Sequence, residues 1–350
     1  MTMTMNLNQI TESVQHNCNI ADAQYAGDYT LCVYLLKMRE FYRWEMGHSY
    51  DDNLPSESVG EWLKSREALW EDLEEAEYRD IQTGTDLIDP FETEEVNRSL
   101  NPQGLIYSGG LGCKCRPHFF LGELEREEKQ SDYHLLVAGK ELARDLTAPP
   151  AMSLGKTIFI RRESLRRMLW EKIEESHWDK GETPMRRAIA AYPFDTDLEL
   201  ALERMTQDMM EQLILHEIGE VRAGKILGAQ WEELLFSLPR SKIEILLRAV
   251  RDNLADSLST LPSLLDGDAD PQQIHFHMAN LNGMRKQLFP SLVSAYQEWL
   301  DSGNRDQLHI VTRQAQEHWE QVATMALDRY REEGEEGLKT IQDLIEQQAL

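Results

Sequence analysis

Hydrophobic and polar positions along this chain follow two periods, and the change between them divides it into three stretches. Residues 1–98 and 163–350 repeat apolar residues every three or four positions, the spacing of one helix face. Residues 99–162 carry short β-branched and aromatic runs separated by turn residues. The pattern predicts a mainly α protein: a helical bundle in which 163–350 packs with 1–98, and a small antiparallel β insertion at 99–162 (α+β). Helices are expected from Asn19 to about Met46, stopped by Gly47, and over Ser56–Ile81. The segment Leu31–Leu36 is apolar on every side, which predicts a central, buried position. Strands are expected near Leu105–Tyr107, His118–Leu124, Tyr133–Val137 and Lys156–Ile160, with a short helix at Glu141–Leu146. Further helices are expected over Arg162–His177, Thr196–Leu227, Arg240–Leu258, Pro271–Leu288, Pro290–Leu300 and Arg305 to about Glu333. Thr196 and Glu199 read as a capping box at the start of the longest, and Gly228 as its stop.

The apolar stripes are interrupted in a consistent way. In the longest helix the row Leu198, Leu202, Met205, Met209, Leu213, His216, Glu220, Ala223, Leu227 is apolar except at His216 and Glu220. Gly224 and Gly228 continue that row, which predicts a close neighbouring helix. The row Ala26, Tyr29, Val33, Leu36 ends on Glu40; His277 interrupts the helix after Pro271, and His318 the helix after Gly303. Histidines and carboxylates facing a core must be paired, hydrogen-bonded or metal-bound. If the stripes converge, His216, Glu220, Glu40, His277 and His318 are candidate ligands of one buried centre, as helical bundles build them. Mixed nitrogen and oxygen ligation suits iron, manganese or zinc. Glu217 would then be a general base or an additional ligand.

The segment His216-Glu-Ile-Gly-Glu220 resembles the His-Glu-x-x-His signature of zinc metallopeptidases. That resemblance implies a ligand at His216 and a general base at Glu217; it covers five residues and departs from the signature at Glu220. The Glu-x-x-His spacing of ferritin-like centres is absent from the candidate positions. Cys113-Lys-Cys115-Arg-Pro-His118 is a dense cluster with a one-residue spacer, read either as half a metal site or as a turn with incidental thiols. Asp266–Asp270 begins like a calcium loop, but Pro271 and His277 occupy its glycine and glutamate positions. No nucleotide cofactor motif and no nucleophile elbow is present.

Composition narrows the picture further. The formal charge of −26 disfavours nucleic acid and anionic membranes as partners. The four cysteines are too few for a disulfide framework, and with no signal peptide or membrane span in view the expected location is the cytoplasm. The reading is a soluble metal-dependent enzyme, an oxidoreductase or a hydrolase according to the metal, acting on a small molecule. The alternative is a non-enzymatic acidic scaffold or partner-binding protein with a metal-free polar network; substrate and oligomeric state are left open.

Overall fold

The computed structural model describes residues 6–112, 116–177, 181–238, 241–266, 269–281 and 283–350. In chain order the elements are α1 (Leu7–Tyr25), α2 (Leu31–Met46), α3 (Ser56–Leu73), β1 (Ile81–Thr83), β2 (Asp86–Ile88), α4 (Thr93–Leu100), β3 (Leu105–Leu111), β4 (Pro117–Lys129), β5 (His134–Arg144), β6 (Ala151–Leu154) and β7 (Thr157–Arg161). There follow α5 (Arg162–Ser176), α6 (Pro184–Ile189), α7 (Leu198–Leu227), α8 (Ala229–Ser237), α9 (Lys242–Ala255), a π-helical turn (Asp256–Thr260), α10 (Leu261–Leu265), α11 (Pro271–Asn280), α12 (Gly283–Leu288), α13 (Pro290–Ser302), α14 (Asp306–Glu333) and α15 (Leu338–Gln347).

A curled five-stranded sheet, ordered β3-β4-β5-β7-β6, organises the N-terminal half, with β1 and β2 as a separate ribbon. This corrects the expectation of a helical bundle with a small antiparallel insertion. The sheet is mixed, because β5 and β7 run parallel. It is also central: α1 and α4 cover β3 and β4 through Val14, Cys18, Val96, Tyr107, Phe119 and Leu121. Helices α5 and α7 cover β5 and β7 through Leu135, Val137, Ile158, Ile160, Leu169 and Met205. The Asn97 side chain closes the β3 edge, donating to Tyr107 O at 2.7 Å and accepting from Tyr107 N at 2.8 Å. The short helix expected at Glu141–Leu146 is replaced by the continuation of β5 to Arg144. Its helix-favouring residues are overridden by pairing with β4 and by the buried Arg161–Glu141 ion pair at 2.9 Å.

Two further expectations change. The N-terminal helix is two helices, broken at Ala26–Asp28. The start of α2 is a surface: Leu31 is 70% and Leu36 61% exposed, and Val33 and Leu35 are exposed as well. An apolar run with no period carries no information about which side is inside. Among the described residues no helix is long and apolar enough to cross a membrane.

The 30 residues of α7 make a rod about 45 Å long. Its first part, Ala201 to Ile218, belongs to the core beneath the sheet. Its last turns, Ala223 and Leu227, belong to a second core built from α8 to α15. Asp197 caps the rod, accepting from Leu200 N at 3.0 Å, so the predicted capping box is displaced by one residue and Glu199 is free to bind Ser49 and Tyr50. Between the two cores α7 touches α9 backbone to backbone: a Cβ on Gly219 would lie 2.3 Å from Ala255 O. Gly224, predicted with Gly228 to be crowded, has open space instead, as does Gly228.

Gly219 and Gly224 give opposite expectations in one helix. Gly219→Ala should lower the unfolding free energy by about 1–3 kcal/mol through overpacking. Gly224→Ala should raise it by about 0.5–1 kcal/mol through helix propensity. Urea unfolding of both variants measures the pair; equal shifts would show that the close approach is absent.

Candidate functional site

The π turn that follows α9 explains how the site is shaped. Pro262 has no N–H and its ring clashes with the carbonyl four residues back, so a regular helix cannot run through it. The chain loosens just before it, and Leu261 N–H reaches Asp256 O, five residues back. The turn carries Asp256 and Thr260 into the wall of a cavity that residues of α7 and α11 also line, with Asp256 bonded to His216.

Asp256 is the hub. Its side chain is 3% exposed, and it receives His216 Nδ1 at 2.8 Å, the Arg285 guanidinium, and His277 Nε2 at a longer 3.9 Å. His216 Nε2 lies 3.5 Å from Glu220 Oε1, and Arg251 approaches the same oxygen at 3.3 Å. Burial alone would raise the Asp256 carboxyl, but Arg285, His216 and His277 outweigh it and hold the group far below the carboxylate range. Burial also opposes the charge on His216, yet Asp256 and Glu220 raise its pKa well above 6.5. His216 is therefore an imidazolium clamped between two carboxylates. His277 goes the other way: burial lowers it to about 4, further helped by Arg285 and His216 and only partly offset by Asp256. It is neutral at pH 7. Glu220 is lowered to about 2, with burial overcome by His216 and Arg251. Glu217, buried beside it, is raised to about 7 by burial and by Glu220.

A cavity of about 200 Å³ opens against this network. Leu165, Met168, Met209, Leu213 and Phe276 give it apolar walls, and His216, Asp256, Arg285, Gln212, Thr260 and His277 give it polar ones. Gln212 Oε1, Thr260 Oγ1 and His277 Nε2 are buried and have no hydrogen-bond partner among the described residues. Such atoms are costly to leave unpaired, and here three of them belong to the wall of one cavity.

The predicted residues thus divide. The fold brings His216, Glu220, Glu217 and His277 into one neighbourhood, with Glu217 and Glu220 outside the cavity wall. Glu40 sits elsewhere on α2, bound to Arg43 at 3.0 Å and near Arg39 at 3.5 Å. His318 lies on the flank of α14 and its Nε2 meets Gln348 O at 2.7 Å, while its neighbour Trp319 takes the core position. The expected convergence of all five therefore fails at Glu40 and His318. Among the described residues no group of three or more His, Cys, Asp or Glu is arranged to hold a metal ion. Cys113 and Cys115 lie outside the described residues; His118 is buried, and burial lowers its pKa. The calcium-like segment lies in part outside them as well.

Sequence reasoning missed Asp256, Arg285, Thr260 and Gln212. A signal for the first was present: Asp256, Ser257, Ser259 and Thr260 crowd polar groups between Leu254 and Leu261, just ahead of Pro262. A constant helical period fails beyond the π turn, which inserts an extra residue into the register.

The pH dependence follows from the His216 shift. Its folded pKa lies above the ordinary 6.5, so the folded protein keeps a proton that the unfolded chain releases. That contribution is complete below about 6.5 and is lost as pH rises through the folded pKa. Urea unfolding followed upward from about pH 6.5 should show stability falling with pH, and less steeply in His216→Gln. A variant with the same slope as the natural protein would remove His216 from the account.

Comparison with known proteins adds a family without a function. Residues 9–161 match the N-terminal domain, and residues 166–348 the C-terminal domain, of a family described as "Family of unknown function (DUF6866)". The chain belongs to that family. The break between the two matches falls at the β7–α5 junction. No curated protein and no solved structure matches the chain.

Proposed function

We propose that this member of the DUF6866 family is a small-molecule-binding protein, and that the cavity beside Asp256 takes a compact, mostly apolar ligand bearing a hydrogen-bonding group. The observation that carries the reading is the coincidence of three unpartnered buried polar atoms, on Gln212, Thr260 and His277, with one apolar-walled cavity. Size supports it: an apolar cavity of roughly 150 Å³ accepts benzene, so about 200 Å³ suits a single ring or a similarly compact molecule. Recognition is favoured over turnover because His277, lowered to about 4, is a weak base. A metal ligand must be a neutral imidazole, whereas His216 is held as the cation by two carboxylates, so a metal centre would first have to discharge it. A cytoplasmic location is supported by the free thiols of buried Cys18 and exposed Cys32.

The test is a fragment screen by ligand-observed NMR on the natural protein and on Leu213→Trp, which fills the cavity. Single-ring fragments should bind the natural protein and lose at least tenfold in affinity in the variant. Fragment binding indifferent to Leu213→Trp would sink the reading. Near-stoichiometric metal in elemental analysis, absent from His216→Ala, would replace it with the metal-centre alternative.

A further inference from the structure

A second and larger recess lies between α2, the β4–β5 face, α5 and the start of α7, with a volume of about 650 Å³. That is within the range of small-molecule sites. Its position does not depend on the cavity beside Asp256, and none of the residues lining that cavity lines this recess.

Charge in the recess is sorted by depth. Arg43, Arg144 and Arg167 are between 2% and 6% exposed and form the floor. Glu199 and Glu203 stand higher, about two-fifths exposed, and are paired with Arg166 and Arg162. Glu123 and Glu125 are exposed at the mouth, beside the exposed Lys140. The floor therefore holds three guanidinium groups against buried Glu40 and half-buried Glu163, in a protein whose formal charge is −26.

Two floor arginines have carboxylate partners in hydrogen-bond range: Arg43 has Glu40 at 3.0 Å and Arg167 has Glu171 at 3.1 Å. Arg144 is the exception. Its natural partner, Glu141, is taken by Arg161 through two 2.9 Å hydrogen bonds and by Ser164 at 2.6 Å. Arg144 is left at 3.6 Å from Glu141, with one long 3.5 Å bond to Glu40 O. Its Nε has no partner among the described residues, and neither have Arg43 Nη2 and Arg167 Nε. The crowding is expressed in its acidity: burial lowers the Arg144 pKa to about 10, and Arg167 and Arg161 add to the effect against Glu141. An under-compensated buried cation of this kind is stabilised by a bound anion.

The neighbours say what else the anion must carry. Trp44 lies 4.7 Å from the Arg144 guanidinium, and Tyr50 stands between Arg43 and Arg166 at 5.5 and 5.8 Å. These rings line the recess beside the cationic floor, stacked against guanidinium groups.

We infer that this recess binds a small organic oxyanion, its carboxylate or phosphate head on Arg144 between Arg43 and Arg167 and its body against Trp44 and Tyr50. The test uses 4-fluorobenzoate and 4-fluorophenyl phosphate as probes, followed by fluorine NMR titration of the full-length protein. At least one probe should bind saturably, and its head group identifies the preferred oxyanion. Arg144→Gln should weaken binding at least tenfold. Because a buried arginine can matter for folding, the exposed Lys140→Glu is the second variant; it reverses charge at the mouth and should weaken the same probe severalfold with an unchanged circular dichroism spectrum. Lys339→Glu, exposed on α15, is the control and should leave affinity as it is. Absence of saturable binding by either probe, or binding that ignores Lys140→Glu as much as Lys339→Glu, overturns the inference.

Discussion

The contact on which the architecture turns is the backbone approach of α7 to the end of α9 at Gly219 and Ala255. One rod serves two cores, and at the point where it passes from one to the other it has no side chain to hold its neighbour away. A Cβ there would meet the Ala255 carbonyl at 2.3 Å, so the spacing is a steric fact of the glycine. Asp256 follows immediately, at the start of the π turn, and reaches His216 because the two helices are this close. The same turn contributes Asp256 and Thr260 to the wall of the cavity.

The polar network at that seam has a definite electrostatic logic. Removing a carboxylate from water costs several kcal/mol unless opposite charge and hydrogen bonds replace the lost solvation. Asp256 obtains both from His216 and Arg285, and Glu220 is held by His216 and Arg251. His277 is the member kept uncharged, chiefly by burial and further by Arg285 and His216, with Asp256 only partly offsetting them. The result is two histidines in opposite protonation states on the wall of one cavity.

Much of the α-helical half was legible because its amphipathic faces repeat over long stretches. Gly47 and Gly228 stop their helices with positive φ, as turn chemistry requires. His216 and His277 were visible as polar breaks in otherwise apolar rows, and the fold does place them together. Glu40 and His318 produced the same signal for other reasons, one as an arginine partner and one as a flanking residue beside Trp319. The sheet was legible as strands but not in its extent, because β5 is buried on both faces and ends in a helix-favouring Glu-Leu-Ala-Arg. The parallel pairing of β5 with β7, and the role of Arg144 beneath Trp44, depend on contacts between distant segments that no local period encodes.

The division of labour along α7 has a consequence for the order in which the molecule can assemble. Strands β5 and β7 emerge from the ribosome early, but their outward apolar residues are covered by Leu169, Met205 and Met209, which are translated later. Until then the first half carries an uncovered sheet face. Completion of the early half thus waits on the late half, and a chain interrupted near the β7–α5 junction leaves that apolar sheet face uncovered.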